Sequence, residues 1–412
     1  MRGDGIKTAI TPPEMAGARL LDVTRSLRRA GRVATGVDRV EIAYLEHFLT
    51  DEIPFFALAR TALGYVLLDR DGAQTFRDKL AGDLPWGGPS MLSRLVMGRD
   101  RALVRAESDL RRLAVGRAIP ANLGRMLQAL LHDTFAYYNV GHSNLTDRML
   151  KSVKSAGGGI HVLVHDVIPL EFPQFQRAGT VAPFRAKIDR VARLADRVIY
   201  NSHDTRQRSE AFMRLAGRVP DAIVAHLGVT IPQPDLQALP SSLPPSEPYF
   251  VTVGTIEPRK NHAFLLDLWA QMGTEAPLLL ICGSRGWNNA AVFDRLDQLP
   301  RDGRVREVSG LSDPALAALV AGASGLLFPS LAEGFGLPAI EAMALKTRVL
   351  CNDLPVFREV TDDKAVYAPV SDGYLWTSTI KEWGSSPAGA WSGNTFKGSG
   401  WAEHFNTVLR SR

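Results

Sequence analysis

Phe328-Pro-Ser-Leu-Ala-Glu-Gly-Phe-Gly-Leu-Pro-Ala-Ile-Glu-Ala-Met-Ala344 is the stretch whose reading decides the fold. An apolar run reaches its end at Phe328, a loop bearing Gly334 and Gly336 follows, and Pro338 stands where a helix can begin, since the first helical amide needs no partner. Strand, glycine loop and helix in that order make one unit of a doubly wound α/β layer. Free amides and the positive dipole end of the helix form an anion site, and the two glycines let a ligand approach the main chain. Glu333 and Glu341 are eight residues apart across that loop. They would flank a bound anion, and because a carboxylate repels phosphate they suit hydroxyl groups on either side of it, a sugar at one end and a ribose at the other. The plainer reading is a capped helix with an acidic residue in its first turn.

The same alternation extends in both directions. In the second half, strands are expected at 249–253, 277–282, 305–308, 325–328 and 348–351, and helices at 262–272, 290–299, 313–321 and 338–345. In the first half, strands are expected at 19–23, 53–58, 65–68, 159–165, 197–200 and 222–225, with helices at 38–49 and 183–195. Between the halves, 231–248 holds six prolines and no periodicity, which bars a helix or a central strand. The expected organisation is a leader over 1–18, a first domain over 19–235, a linker over 236–248, a second domain over 249–390 and a short helix over 401–412. This is the α/β class: two Rossmann-like doubly wound lobes facing across a cleft.

A second loop, Gly254-Thr-Ile-Glu-Pro-Arg-Lys-Asn-His262, also follows a strand and precedes a helix. Arg259 and Lys260 then stand at the carboxyl end of the sheet, where such folds bind ligands, and adjacent cations neutralise the charge of a departing diphosphate. Taken alone, the pair also reads as a solvated basic turn with Asn261 capping a helix. His165 closes a strand and precedes Asp166; it either meets a sugar hydroxyl at a reaction centre or is satisfied by Asp166. His142, in Gly141-His-Ser-Asn144, and Asp166 are the candidates for an acceptor side.

Composition sets bounds. The 412 residues are 45% hydrophobic and 22% charged with a net charge of +5, which describes a folded rather than a disordered chain. The two cysteines, Cys282 and Cys351, lie in apolar runs and read as buried free thiols in a reducing compartment. No clustered Cys/His spacing suggests a metal, and no apolar stretch approaches the length of a membrane span. A cytoplasmic protein, with any membrane contact peripheral, is the expectation. Within 91–113, Arg94, Arg101, Arg105 and Arg112 fall on one helical stripe opposite Leu92, Val96, Leu103 and Leu110. That pattern fits an anionic bilayer or a phosphate-bearing lipid acceptor, and equally an ordinary domain helix. Nucleic-acid binding has no support, since aromatic residues are not interleaved with the basic ones.

Together the Glu333 to Glu341 segment, the Glu-Pro-Arg-Lys-Asn loop and Leu279-Leu-Ile-Cys-Gly-Ser-Arg-Gly-Trp287 resemble the retaining family-four glycosyltransferases of the GT-B fold. The likeness is densest over 249–370 and includes Asn352-Asp-Leu-Pro-Val-Phe-Arg-Glu359. It extends to Thr35-Gly-Val-Asp-Arg-Val40, His165-Asp-Val-Ile-Pro and Asn201-Ser202 in the first half. It implies a donor site in which Glu333 holds sugar hydroxyls, Glu341 the ribose, and Arg259 and Lys260 the diphosphate. Gly254 and the main chain of Gly334, Phe335, Gly336 and Leu337 would complete it, with Gly36 approaching the donor phosphates and His165 the reacting carbon. The implied substrate is a nucleoside-diphosphate sugar, mannose from GDP-mannose first and rhamnose second, transferred with retention to a glycan or lipid-linked glycan, with no cofactor or metal required. An inverting transferase using His165 or Asp166 as base, and a silent nucleotide-sugar-binding protein, are the alternatives. Lys346-Thr-Arg-Val349 and Thr361-Asp-Asp363 depart from the family's usual residues on the nucleotide side of the pocket.

Overall fold

The structure is a computed structural model that describes residues 17–91, 100–131, 134–300, 302–385, 396 and 398–410. The first lobe is built on an eight-stranded sheet of order β4-β3-β2-β1-β5-β6-β7-β8. Its strands are β1 (Ala18–Asp22), β2 (Phe55–Thr61), β3 (Gly64–Leu68), β4 (Gly116–Ala118), β5 (Phe135–Asn139), β6 (Gly158–Val164), β7 (Arg197–Tyr200) and β8 (Asp221–Val224). The six strands from β2 to β8 by way of β1 and β5 pair in parallel, and β3 and β4 extend the sheet in antiparallel fashion. The lobe is therefore doubly wound with an antiparallel edge rather than parallel throughout. β5, Phe-Ala-Tyr-Tyr-Asn, is buried at all five positions at the centre of this sheet, and the alternation expected from the sequence passes over it.

The second lobe carries β9 (Tyr249–Val253), β10 (Leu278–Cys282), β11 (Val305–Val308), β12 (Gly325–Phe328), β13 (Val349–Cys351) and β14 (Val366–Tyr367), in the order β11-β10-β9-β12-β13-β14. All pairs here are parallel. Parallel strands covered on both faces need unbroken apolar runs, and Leu-Leu-Leu-Ile-Cys in β10 is buried at every position.

One apolar cluster runs from the first sheet into the second, joining Leu21, Tyr44 and Phe48 to Leu227, Phe335 and Leu326. The proline-rich segment 236–248 lies against the second lobe: Leu239 is buried, and the Asp235 amide donates to the Pro314 carbonyl at 3.1 Å. The helix Trp401–Arg410 packs on the helix Gly36–Thr50 of the first lobe, where Phe405 stacks on His47 at 3.8 Å and His404 Nε2 lies 2.8 Å from the Tyr44 hydroxyl. Among the described residues no helix is long and apolar enough to cross a membrane. Most of the leader, 1–16, lies outside the described residues.

Candidate active site

In a doubly wound sheet, ligands gather beyond the strand ends where the winding reverses. In the second lobe that point lies between β9 and β12, so the loops after Val253 and Phe328 face one another there. They line a cavity of about 940 Å³ between the lobes, together with the segment Val33–Val37 and with His165, Asp166 and Asn201 of the first lobe. Residues Glu333 to Pro338, Gly254, Arg259 and Lys260 all border it.

At its centre Glu333 Oε1 lies 2.5 Å from Lys260 Nζ and 2.8 Å from Arg259 Nη1, and Arg259 Nε lies 2.6 Å from Glu257 Oε1. Burial alone would push the Glu333 carboxyl up, but the two cations override it and hold it at about 2. Lys260 is buried, with its ammonium 4.4 Å from the centre of the Phe328 ring. Its stem runs past Gly254, where a φ of 139° disfavours any side chain and a Cβ would lie 3.2 Å from Lys260 Cε. Glu257 is a member of this cluster that the sequence reading did not assign. Its only signal was its place one residue before Pro258 in the same loop.

Two helix starts converge on the cavity. Gly336, at φ 97°, precedes the helix Leu337–Ala344, which begins one residue before the expected Pro338. Opposite, Thr35 and Gly36 open the helix Gly36–Thr50, with the Thr35 amide donating to Asp38 Oδ2 at 2.7 Å. A Cβ at Gly36 would lie 3.2 Å from Leu337 Cδ1, so the two helix starts approach closely across the cleft. Asp38 also draws in Arg25 at 2.6 Å and Arg29 at 2.7 Å, both on the cavity wall. Neither arginine was singled out from the sequence, because only the fold brings the segment after β1 to this wall.

On the first-lobe side, His165 Nε2 lies 2.6 Å from the Val140 carbonyl oxygen. A carbonyl only accepts, so this nitrogen carries the proton and Nδ1 keeps its lone pair. Burial brings the imidazole pKa down to about 4, so the ring is neutral near pH 7. Asp166 does not satisfy His165; its carboxylate accepts from the Ile168 amide at 3.1 Å. Gly334 borders the cavity and also meets the first lobe. A Cβ there would overlap the His165 carbonyl oxygen, and its own carbonyl accepts from Thr205 Oγ1 at 2.9 Å. It forms a close seam between the lobes, while Gly336 supplies the freed conformation at the helix start. Nearby, Glu359 of the second lobe accepts from the His203 and Asp204 amides at 2.7 and 3.1 Å.

Glu341 sits beyond Pro338, outside the residues that border the large cavity, with Oε1 2.7 Å from Arg39 Nη1. Arg39 also reaches Asp313 at 2.8 Å, so the pair fastens the first lobe to the second. His142 lies apart from the cleft: its Nε2 is 2.8 Å from the Leu163 carbonyl oxygen, and its ring centre is 5.1 Å from that of His165. Of the arginine stripe in 91–113, residues 92–99 lie outside the described residues. The helix Arg101–Leu113 is an ordinary domain helix: Ala106 and Leu110 are buried, and Arg105 and Arg112 donate at 2.9 Å to the Gly87 and Gly88 carbonyls. Two of the four arginines thus hydrogen-bond the protein's own backbone.

Residues 238–382 match the family model described as Glycosyl transferases group 1, so the second lobe carries a domain of that kind. The serotype-specific mannosyltransferase WbdA of Escherichia coli is 32% identical over 251 residues, which are 57% of this chain and 31% of the relative. The O-antigen chain mannosyltransferase RfbU of Salmonella typhimurium is 36% identical over 138 residues, 33% of this chain and 38% of the relative. The chain thus spans about a third of the length of these relatives. Among solved structures, Anabaena HepE in complex with UDP-glucose aligns with TM-score 0.58 at 15% identity, covering 89% of each chain. Sucrose-phosphate synthase of Thermosynechococcus elongatus aligns with TM-score 0.57 at 17% identity, covering 90% of this chain and 91% of that one. The fold is GT-B.

Proposed function

We propose that this chain is a retaining hexosyltransferase that moves mannose from GDP-mannose, or a related deoxyhexose, to a hydroxyl of a glycan or lipid-linked glycan. The observation that carries the reading is the meeting of Glu333, Arg259 and Lys260 at one point of the cleft, beside two converging helix starts. Cations and main-chain amides there suit a diphosphate whose negative charge grows as its bond to the sugar breaks. Glu333 holds the sugar hydroxyls. Glu341 takes the ribose once Arg39 yields it. His165, neutral and with Nδ1 free to accept, receives a hydrogen bond from a sugar hydroxyl near the reacting carbon.

An imidazole with a pKa of about 4 is a weak base at neutral pH, which speaks against His165 as the proton acceptor of an inverting reaction. In the retaining reaction, the bond from the anomeric carbon to the phosphate oxygen breaks as the acceptor oxygen bonds to the same face. The acceptor's proton passes to the departing phosphate, and catalysis consists of positioning and charge stabilisation. The mannosyltransferase names of WbdA and RfbU support the sugar. Buried free Cys282 and Cys351 fit a reducing cytoplasm, with the reaction at the inner face of the membrane.

The test begins with a thermal-shift screen of GDP-, UDP- and dTDP-sugars, followed by transfer assays and the anomeric configuration of the product by NMR. Glu333→Ala is expected to abolish transfer and keep the fold. Near-normal turnover in that variant would remove the assignment, and an inverted product would move the base role to Asp166.

A further inference from the structure

The first sheet has its own winding reversal, between β1 and β5, and a second cavity opens there. It is about 650 Å³ and is lined by Arg25, Arg28, Arg60, Arg148, Lys187 and Arg190, with no acidic residue among the described residues of its wall. Arg25 borders both cavities, and the His142–His165 ring contact lies between them. Arg25 pairs with Asp38, Arg190 donates to the Leu145 carbonyl at 2.8 Å and lies 4.0 Å from Asp147, and Lys187 lies 5.3 Å from the centre of the Phe184 ring. Arg28, Arg60, Arg148 and Lys187 have no carboxylate partner within ion-pair distance among the described residues. Arg60 Nη1 is buried without a hydrogen-bond partner among the described residues, and its guanidinium lies 4.8 Å from the centre of the Tyr65 ring.

The wall is built and held. His142 and Asn144 adopt φ of 54° and 62°, a region uncommon for side-chain-bearing residues and found where surrounding structure enforces it. Asn144 is fixed from two sides, donating to Asp22 Oδ2 at 2.9 Å and accepting from the Tyr65 hydroxyl at 3.0 Å. Tyr137 donates to the same Asp22 oxygen at 3.0 Å. Burial and the neighbouring Arg25 and Arg190 pull the Lys187 ammonium down to about 8. Cations crowded into one concavity repel one another until an anion enters.

We propose that this cavity seats the acceptor, and that the acceptor carries an oxyanion, a phosphate ester before a carboxylate, next to the sugar that receives the new residue. Guanidinium forks match either anion, and four cations without a carboxylate partner among the described residues favour the dianion. The acceptor role rests on the transferase reading; the anion site itself does not.

Isothermal titration of octyl α-mannoside 6-phosphate, octyl α-glucuronide and neutral octyl α-mannoside tests it, with and without GDP to fill the donor cleft. The wild-type protein is expected to bind the phosphate ester at least tenfold more tightly than the neutral glycoside. An Arg28→Gln/Arg148→Gln double variant, altered at two exposed positions, is expected to lose that preference while keeping its melting temperature and its affinity for GDP. A glucuronide bound as tightly as the phosphate ester upholds the site and makes a carboxylate sufficient. Equal affinity for all three glycosides, or an unchanged preference in the double variant, overturns the proposal. A preserved preference in a protein that binds no nucleoside diphosphate would sink the transferase reading and leave the anion site standing.

Discussion

Lys260 Nζ lies 2.5 Å from Glu333 Oε1, and Arg259 reaches the same oxygen at 2.8 Å. The carboxylate therefore occupies the two cations, and on the function proposed above donor binding would exchange one anion for another. Removing the charge with Glu333→Gln is expected to tighten binding of the nucleoside diphosphate about three- to tenfold, while lowering transfer at least about a hundredfold. Calorimetry and turnover on the same preparation check both signs. Weaker nucleotide binding in the variant would show that Glu333 does not compete with the diphosphate.

Gly334 permits a close approach of the lobes, since a side chain there would run into the His165 backbone oxygen. A backbone atom cannot swing aside as a long side chain can. Gly334→Ala is expected to lower transfer at least about a hundredfold by prising the cleft open. Far-UV circular dichroism should be unchanged, and small-angle scattering should report a larger radius of gyration. A fully active variant would show that the seam is not needed for catalysis.

Glu41 is buried in the first lobe, accepting from the Ser26 amide at 2.7 Å through Oε1 while Oε2 has no hydrogen-bond partner among the described residues. Burial raises its pKa to about 8, so the folded protein holds a proton there that the unfolded chain releases near 4.5. Stability from this group is full below 4.5 and is lost as pH rises towards 8. Glu41→Gln, which imitates the protonated form, is expected to raise stability by on the order of 2–4 kcal/mol at pH 7.5 and by about nothing at pH 4.5. The buried histidines titrate alike in both proteins and cancel in the difference. Urea midpoints at the two pH values measure it, and a gain of equal size at both would refute the assignment.

Phe405 is 3% exposed and stacks on His47 at 3.8 Å, with the Tyr44 ring 4.9 Å away. Phe405→Ala is expected to cost about 3–5 kcal/mol, the usual range for emptying an aromatic site in a core. Hydrogen exchange should locate the loss in the helix Gly36–Thr50 rather than in the second sheet. Protection lost first from β9 to β14 would contradict it.

In the second lobe β9 to β13 were legible, most clearly where a strand is a continuous apolar run, as in β10 and β12, while the two-residue β14 and the helices Pro355–Thr361 and Gly373–Gly384 escaped. The first lobe was less legible. β5 mixes aromatic residues with Asn139 over five positions, and β4 spans three, so neither carries a period that separates strand from loop. The antiparallel edge escaped for the same reason. In the site, the glycine loop and the Arg259–Lys260 pair announced themselves by local pattern. The Lys260–Glu333 contact joins residues 73 apart, and Arg39–Glu341 joins residues 302 apart. Such distances are set by sheet order, which local periodicity does not encode. Arg25 and Glu257 were missed because each is ordinary until its neighbours from other strands are in place.

The helix Trp401–Arg410 completes the core of a lobe whose sheet was finished by residue 224. During synthesis on the ribosome, Tyr44 and Phe48 emerge long before the aromatic residue that covers them. The first half must wait, partly uncovered, while the entire second sheet is translated and folds, which makes that interval the natural point for chaperone engagement.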